Sequence, residues 1–224
     1  TYTDFSNLGT ASNEGVGFDI GTDNNSLANC TFTDCGEVYP YNGGSTHKVL
    51  FTDCTWSGTL STNCLNCGTT GGTSLLTRCA FDNRVAMGNS GWDVVNCYFG
   101  DQITTGVGYN PTISDSFYTD PTETNVSVLV RDDITDCDIY NQGTGTNGRA
   151  ISVDVSDNNI SVAGCIIQHP SGVNGDYILD HGDSATNMAT IQNCILLPNS
   201  SGATPGVSVS LIFQTDTDTW NVYH

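Results

Sequence analysis

The chain has 224 residues, with 5 Lys and Arg against 24 Asp and Glu, for a formal net charge of −19 at neutral pH. That balance excludes nucleic acid as a partner, which needs a basic footprint, and disfavours anionic membranes and unassisted binding of polyanionic sugars. No membrane insertion is expected, because no apolar run is long enough to span a bilayer.

In chain order, the opening residues TYTDFSNLG read as a first repeat, with Tyr2, Asp4 and Phe5 at its apolar, bend and cysteine positions. Clearer copies follow as LANCTF at 27–32, FTDCTW at 51–56, LTRCAF at 76–81 and VVNCYF at 94–99. The series continues with ISDSFY at 113–118, ITDCDI at 134–139, VAGCII at 162–167 and IQNCIL at 191–196. Three residues before the cysteine position the side chain is always apolar, and two residues after it is always large and apolar. The residue just before it is Asn29, Asp53, Arg78, Asn96, Asp115, Asp136, Gly164 or Asn193. All but Arg78 are types that tolerate a left-handed backbone. The pattern predicts two short strands meeting at a sharp bend, with their apolar faces turned the same way.

The cysteine positions 30, 54, 79, 97, 116, 137, 165 and 194 recur at steps of 18 to 29 residues. An internal period of that size signals a solenoid or a propeller, and a four-stranded propeller blade needs about 40 residues or more. The expected fold is therefore all-β: a right-handed parallel β-helix of about nine coils with three short strands per coil, in a single domain over 1–224. Third strands are expected at 16–20, 126–130, 150–155, 177–179 and 207–213, each followed by an Asp-rich turn. Of the 24 acids 21 are Asp, so part of the acidity follows from the number of turns. Stacking in register would bring Arg131, Asp154 and Asp180 together. The longest insertions, 141–148 and 170–175, would project from one side and make it the binding face. Neither end carries a recognisable polar cap, so the chain is expected to be a piece of a longer one.

Seven of the ten cysteines hold the repeat position and should form an inward ladder of free thiols acting as small buried hydrophobes. Cys35, Cys64 and Cys67 fall outside it, and a lone CxxC without partner ligands is a weak zinc signal. Gly143 to Gly148 spells GxGxxG but opens no helix, and the Gly15-Val16-Gly17-Phe18-Asp19 stretch is too isolated for a calcium β-roll. Lys48 follows no phosphate loop. The five Asn-x-Ser/Thr sequons, at Asn24, Asn29, Asn125, Asn159 and Asn199, are accounted for by composition.

The bend Asn or Asp followed by an inward Cys and an aromatic resembles the pectate-lyase-like right-handed β-helix superfamily over nearly the whole chain. Its short coils rich in Asn, Asp, Thr and Gly are closest in character to β-helix domains of phage tailspikes and tail fibres. The resemblance implies two functions. One is a non-enzymatic structural or receptor-binding module of a virion or cell surface, presenting loops to host glycans or to neighbouring subunits. The other is a polysaccharide-cleaving hydrolase or lyase. For the enzyme, Asp154, Asp180, His181 and Asp183 are the acid/base candidates. Departures from the glycosidase branch favour the module, since Asp132-Asp133 and Asp180-His181-Gly182-Asp183 are present but Gly-His-Gly and Arg-x-Lys are not. A lyase-like site has only Lys48 and Arg149 as flanking bases. No cofactor is expected beyond calcium, for which Asp132, Asp133, Asp154 and Asp180 are the candidate ligands. The expected assembly is a homotrimer, or a complex with other structural subunits, outside the cell or on a virion.

Overall fold

A computed structural model describes residues 2–9, 14–19, 25–41, 49–67, 74–87, 92–105, 112–120, 126–130, 133–141, 149–153, 160–168, 177–181, 188–197, 210–214 and 219–223. Among them every regular element is a β-strand and none is a helix. The chain visits three parallel sheets in turn, so a strand pairs with the third one after it rather than with its chain neighbour. It divides into two units, Thr1–Thr112 and Ile113–His224.

In the first unit the strand before the bend recurs as Asn25–Ala28, Val49–Thr52, Ser74–Thr77 and Trp92–Val95. The strand after the bend recurs as Thr3–Ser6, Cys30–Thr33, Thr55–Ser57, Ala80–Phe81 and Tyr98–Phe99. The third recurs as Glu14–Asp19, Glu37–Tyr41, Asn63–Cys67, Arg84–Met87 and Ile103–Thr105. The second unit repeats the cycle. There Ile113 registers with Ile134, which registers with Val162, and Val162 with Ile191, so the apolar positions read from sequence stand side by side.

All eight residues before the cysteine position have positive φ, from 50° at Asp115 to 68° at Gly164, and Arg78 is among them at 52°. An L-residue pays for that conformation, and the backbone around the bend supplies the return. The bend N–H donates to a strand-end carbonyl of the next repeat: Asn29 to Thr52 at 3.0 Å, Asp53 to Thr77 at 3.0 Å, Asp136 to Ala163 at 2.8 Å. The next repeat answers with an N–H to the cysteine carbonyl, as Ala80 does to Cys54 and Ile166 to Cys137, both at 2.9 Å.

The ladder cysteines described are free thiols, all buried except the half-buried Cys194. They are also donors. Each S–H points to the carbonyl two residues back: Cys54 to Thr52 at 3.4 Å, Cys79 to Thr77 at 3.5 Å, Cys137 to Thr135 at 3.2 Å and Cys165 to Ala163 at 3.3 Å. Ser116 fills the position with a hydroxyl that donates to Ser114 O at 2.8 Å. The site accepts any small side chain carrying one proton. Ser116→Cys should therefore be tolerated, and the added apolar burial should raise stability by up to about 1 kcal/mol, read from the urea midpoint.

Two residues beyond the cysteine the ladder becomes a column of rings. Phe5 stacks on Phe32 with centroids 5.0 Å apart, Phe32 on Trp56 at 4.7 Å, Trp56 on Phe81 at 4.5 Å and Phe81 on Phe99 at 5.2 Å. In the second unit Ile139 and Ile167 occupy the same buried position. The column corrects the alignment of the first repeat. Thr3 registers with Cys30 and Phe5 with Phe32, so Phe5 belongs to the aromatic position, not the cysteine position. The left-handed residue nearby is Asn7, at φ 55°, and not Asp4.

A second bend follows the ring column, at Asn7, Asp34 and Gly58, all with positive φ. Asn7 N donates to Thr33 O at 3.0 Å and Asp34 N to Ser57 O at 2.9 Å, repeating the first bend's bonding. Cys35 stands one residue after it, buried, with its thiol 3.4 Å from both Phe5 O and Thr33 O. It lies outside the main ladder but performs the same task one corner later.

Candidate functional site

Of the residues expected to act on a sugar or bind calcium, Asp132, Asp154 and Asp183 lie outside the described residues, as do Lys48 and Arg131. Asp180 and His181 lie on the strand Tyr177–His181, whose backbone register is described. Asp180 stands opposite Ser152 and His181 opposite Val153, with Phe213 and Gln214 on the other side. Arg149 registers with Tyr177. Asp133 is exposed, and its Oδ1 accepts the Ser161 N–H at 2.8 Å. Among the described residues no group of three or more His, Cys, Asp or Glu is placed to hold a metal ion.

Other described aspartates are engaged in the same way, between neighbouring repeats. Asp82 accepts from Thr59 Oγ1 at 3.0 Å, and Asp93 from Thr112 Oγ1 at 2.8 Å. Asp53 takes a two-pronged contact from Arg78, Nε to Oδ1 at 2.7 Å and Nη2 to Oδ2 at 2.8 Å. Both are bend residues, half in solvent. The guanidinium beside Asp53 holds its carboxyl below the usual carboxylate value. A lowered folded value means that the pair's contribution is present above the unfolded carboxyl pKa and lost as pH falls through the folded one. Arg78→Asn keeps a residue suited to the bend and removes the guanidinium. Carboxyl NMR titration should then show Asp53 returning to the ordinary range.

Burial pushes the Cys64 thiol well above its ordinary value, so it stays protonated rather than becoming a metal-binding thiolate. It donates to Asn83 O at 3.1 Å, with Arg84 O at 3.4 Å. Cys165 is pushed up to about 12, first by the neighbouring Cys137 thiol.

The most developed polar constellation among the described residues was not legible in the sequence. It sits on the third sheet of the first unit and depends on a bulge. Arg84 registers with Asn63 but Val85 with Leu65, so Cys64 is an extra residue in its strand. In a regular strand residues three apart point to opposite faces, whereas the bulge re-aims Asn63 and Asn66 to one side. Glu37 meets both: Oε2 accepts Asn63 Nδ2 at 2.8 Å, and Oε1 accepts Asn66 Nδ2 at 3.0 Å. A second bulge, at Gly15, brings Glu14 opposite Glu37. Tyr39 and Ala86 are half-buried on strands whose neighbouring Val38 and Val85 are fully buried, which places them on the outer face. Two polar atoms within the row, Asn63 Oδ1 and Arg84 Nε, are buried with no hydrogen-bond partner. The chain has only three Glu and four Arg, and finding one of each in this row is the only signal the sequence offers for it.

No protein-family model matches the chain, and comparisons with curated proteins and with solved structures return no match.

Proposed function

We propose that the chain is a right-handed parallel β-helix of the pectate-lyase-like kind, about nine coils long, serving as a non-enzymatic structural and receptor-binding module. Its place would be a virion surface, as in a tail fibre or tailspike, or a cell-surface adhesin. There it would present loops and sheet faces to a host glycan or to neighbouring subunits. The observation that carries this reading is the use made of the acids. Asp53, Asp82, Asp93 and Asp133 each bond the neighbouring repeat, so their carboxylates stiffen a scaffold instead of gathering around a reaction centre. Repeats tied to their neighbours in this way suit display and spacing. The reading needs no cofactor.

The test has two arms. Neutral and uronic polysaccharides are incubated with the wild-type chain and with Asp180→Asn, and reducing ends and unsaturated products are measured. Neither protein should release any; release lost in Asp180→Asn would establish a polysaccharide-cleaving enzyme instead. Sedimentation of the full-length protein at micromolar concentration should show a homotrimer or a larger particle, and a monomer would remove the assembly part of the reading.

A further inference from the structure

We propose that in the second unit the outer face of the sheet that follows the bend, along Phe117, Asp138, Ile166 and Ile195, docks an amphipathic helical segment of a partner protein that carries basic residues. The proposal rests on the reading of the chain as a module that meets neighbouring subunits and deepens it, because it names the face and the chemistry of what covers it.

The face follows from the register. In the second unit the strands after the bend are Phe117–Asp120, Asp138–Asn141, Ile166–Gln168 and Ile195–Leu197. Phe117 pairs with Asp138, Asp138 with Ile166 and Ile166 with Ile195, so the four stand in one column. Ser116, Cys137 and Cys165 before them and Ile139 and Ile167 after them are buried. A strand alternates its faces, so the column points outward. Phe117 is 39% exposed and Ile195 55%. Tyr140 stands half-buried in the next outward column, its ring 5.5 Å from that of Phe117. The fold does not require apolar residues here. In the first unit the same column runs Asp4, Thr31, Thr55 and Ala80 before its one large member, Tyr98. Apolar side chains gathered on an outer face mark an interaction surface.

Charge and spacing select the partner. Asp138 lies between Phe117 and Ile166 in the column, and the bend residues beside it, Asp115 and Asp136, are exposed on consecutive repeats. Among the described residues of this unit the one Lys or Arg is Arg149, which belongs to a different sheet. The acids along the face are therefore complemented by basic groups on whatever covers it. Neighbours in the column are about 4.8 Å apart. That is close to the roughly 5–6 Å between side chains three or four apart on a helix, and shorter than the roughly 6.6 Å between same-face residues of an extended segment. Three steps span about 14 Å, or about ten residues of helix. The complementary helix presents apolar, basic, apolar and apolar side chains in one stripe, with further basic residues on the flank that meets Asp115 and Asp136.

The experiment uses the whole chain and a fluorescent synthetic peptide of about 16 residues, read by anisotropy. The peptide carries Leu, Lys, Leu and Leu in one stripe at steps of three or four, further Lys along one flank and Ala elsewhere. Wild type should bind it about tenfold or more tightly than a scrambled peptide of the same composition, and than a version with Glu for every Lys. Phe117→Ser and Ile195→Ser should each weaken binding about tenfold, with the unfolding midpoint near wild type. Ile195→Ser alone gives the reading if Phe117→Ser fails to fold. Asp115→Asn combined with Asp136→Asn keeps residues suited to the bend; it should weaken binding and flatten its dependence on salt. Equal binding of the scrambled peptide would overturn the proposal, because only the chain's net charge would then be read. Binding that survives both serine variants, or no binding at all, would also overturn it. Each of these outcomes leaves the module reading standing, since that reading fails separately, on polysaccharide cleavage. If the peptide does not bind and the serine variants sediment as smaller species than wild type, a second copy covers this face and the proposal falls.

Discussion

Trp56→Ala is expected to lower the free energy of unfolding by about 3–5 kcal/mol, measured by urea titration of the intact chain. Trp56 is fully buried in the ring column, with Phe32 stacked on one face at 4.7 Å and Phe81 on the other at 4.5 Å. Phe51 meets it edge-on at 5.5 Å. Removing the indole opens a void that neighbours hydrogen-bonded into their own sheets cannot close. Trp56→Phe should behave differently. The indole Nε1 is buried without a partner, and Phe already fills the position in the repeats on either side, at Phe32 and Phe81. Losing the unmet N–H recovers part of what the smaller ring forfeits, so a cost under about 1.5 kcal/mol is expected. If the alanine variant loses less than 1.5 kcal/mol, the column is not a main support of the fold.

The second large effect is expected at Gly15, from a single methyl group. Gly15 is the extra residue of its bulge, and a Cβ there would sit 2.5 Å from Leu8 O and 2.7 Å from Gly36 N. Those two atoms are themselves hydrogen-bonded at 2.6 Å. A flexible side chain could swing away; a backbone hydrogen bond between two repeats cannot. Gly15→Ala should cost about 1–3 kcal/mol or more, lower the thermal midpoint and raise amide exchange at Gly36. Gly17→Ala is the matched control two residues on, where a Cβ meets nothing within 4 Å. It should leave stability unchanged or raise it by a few tenths of a kcal/mol, since alanine restricts the unfolded chain more than glycine does. Equal losses in the two variants would contradict the packing described.

The bends were legible because their chemistry is local. Asn, Asp and Gly before the cysteine mark a left-handed residue, and even Arg78 was readable from its place in the period. The register of the first repeat was not. Tyr2 and Phe5 match an apolar-bend-cysteine spacing, yet the decisive contact is Phe5 against Phe32, which only a neighbouring repeat can supply. After the strand expected at 16–20, the next third strands of the first unit escaped notice for a related reason. Glu37–Tyr41 contains Pro40, and Asn63–Cys67 carries a bulge, so neither shows a two-residue alternation. The bulges hid the polar row as well, because Asn63 and Asn66 share a face only once the period is broken. The pairing of Asp180 with Ser152 depended equally on a register that composition does not encode.

The bend bonds also order events in time. At Asn29, Asp53, Arg78, Asp115, Asp136 and Gly164 the amide proton reaches a carbonyl that lies one repeat later in the chain. On a ribosome a bend therefore emerges before the atom that completes it. Each newly made repeat closes the one before it and offers its own open bend as the surface on which the next condenses. Every such closure spans a single repeat, a short loop whose entropic cost is small and nearly constant. Assembly should thus advance like a zipper, with a growing end that is always one repeat short of satisfied, and a stalled chain would be most adhesive at that end.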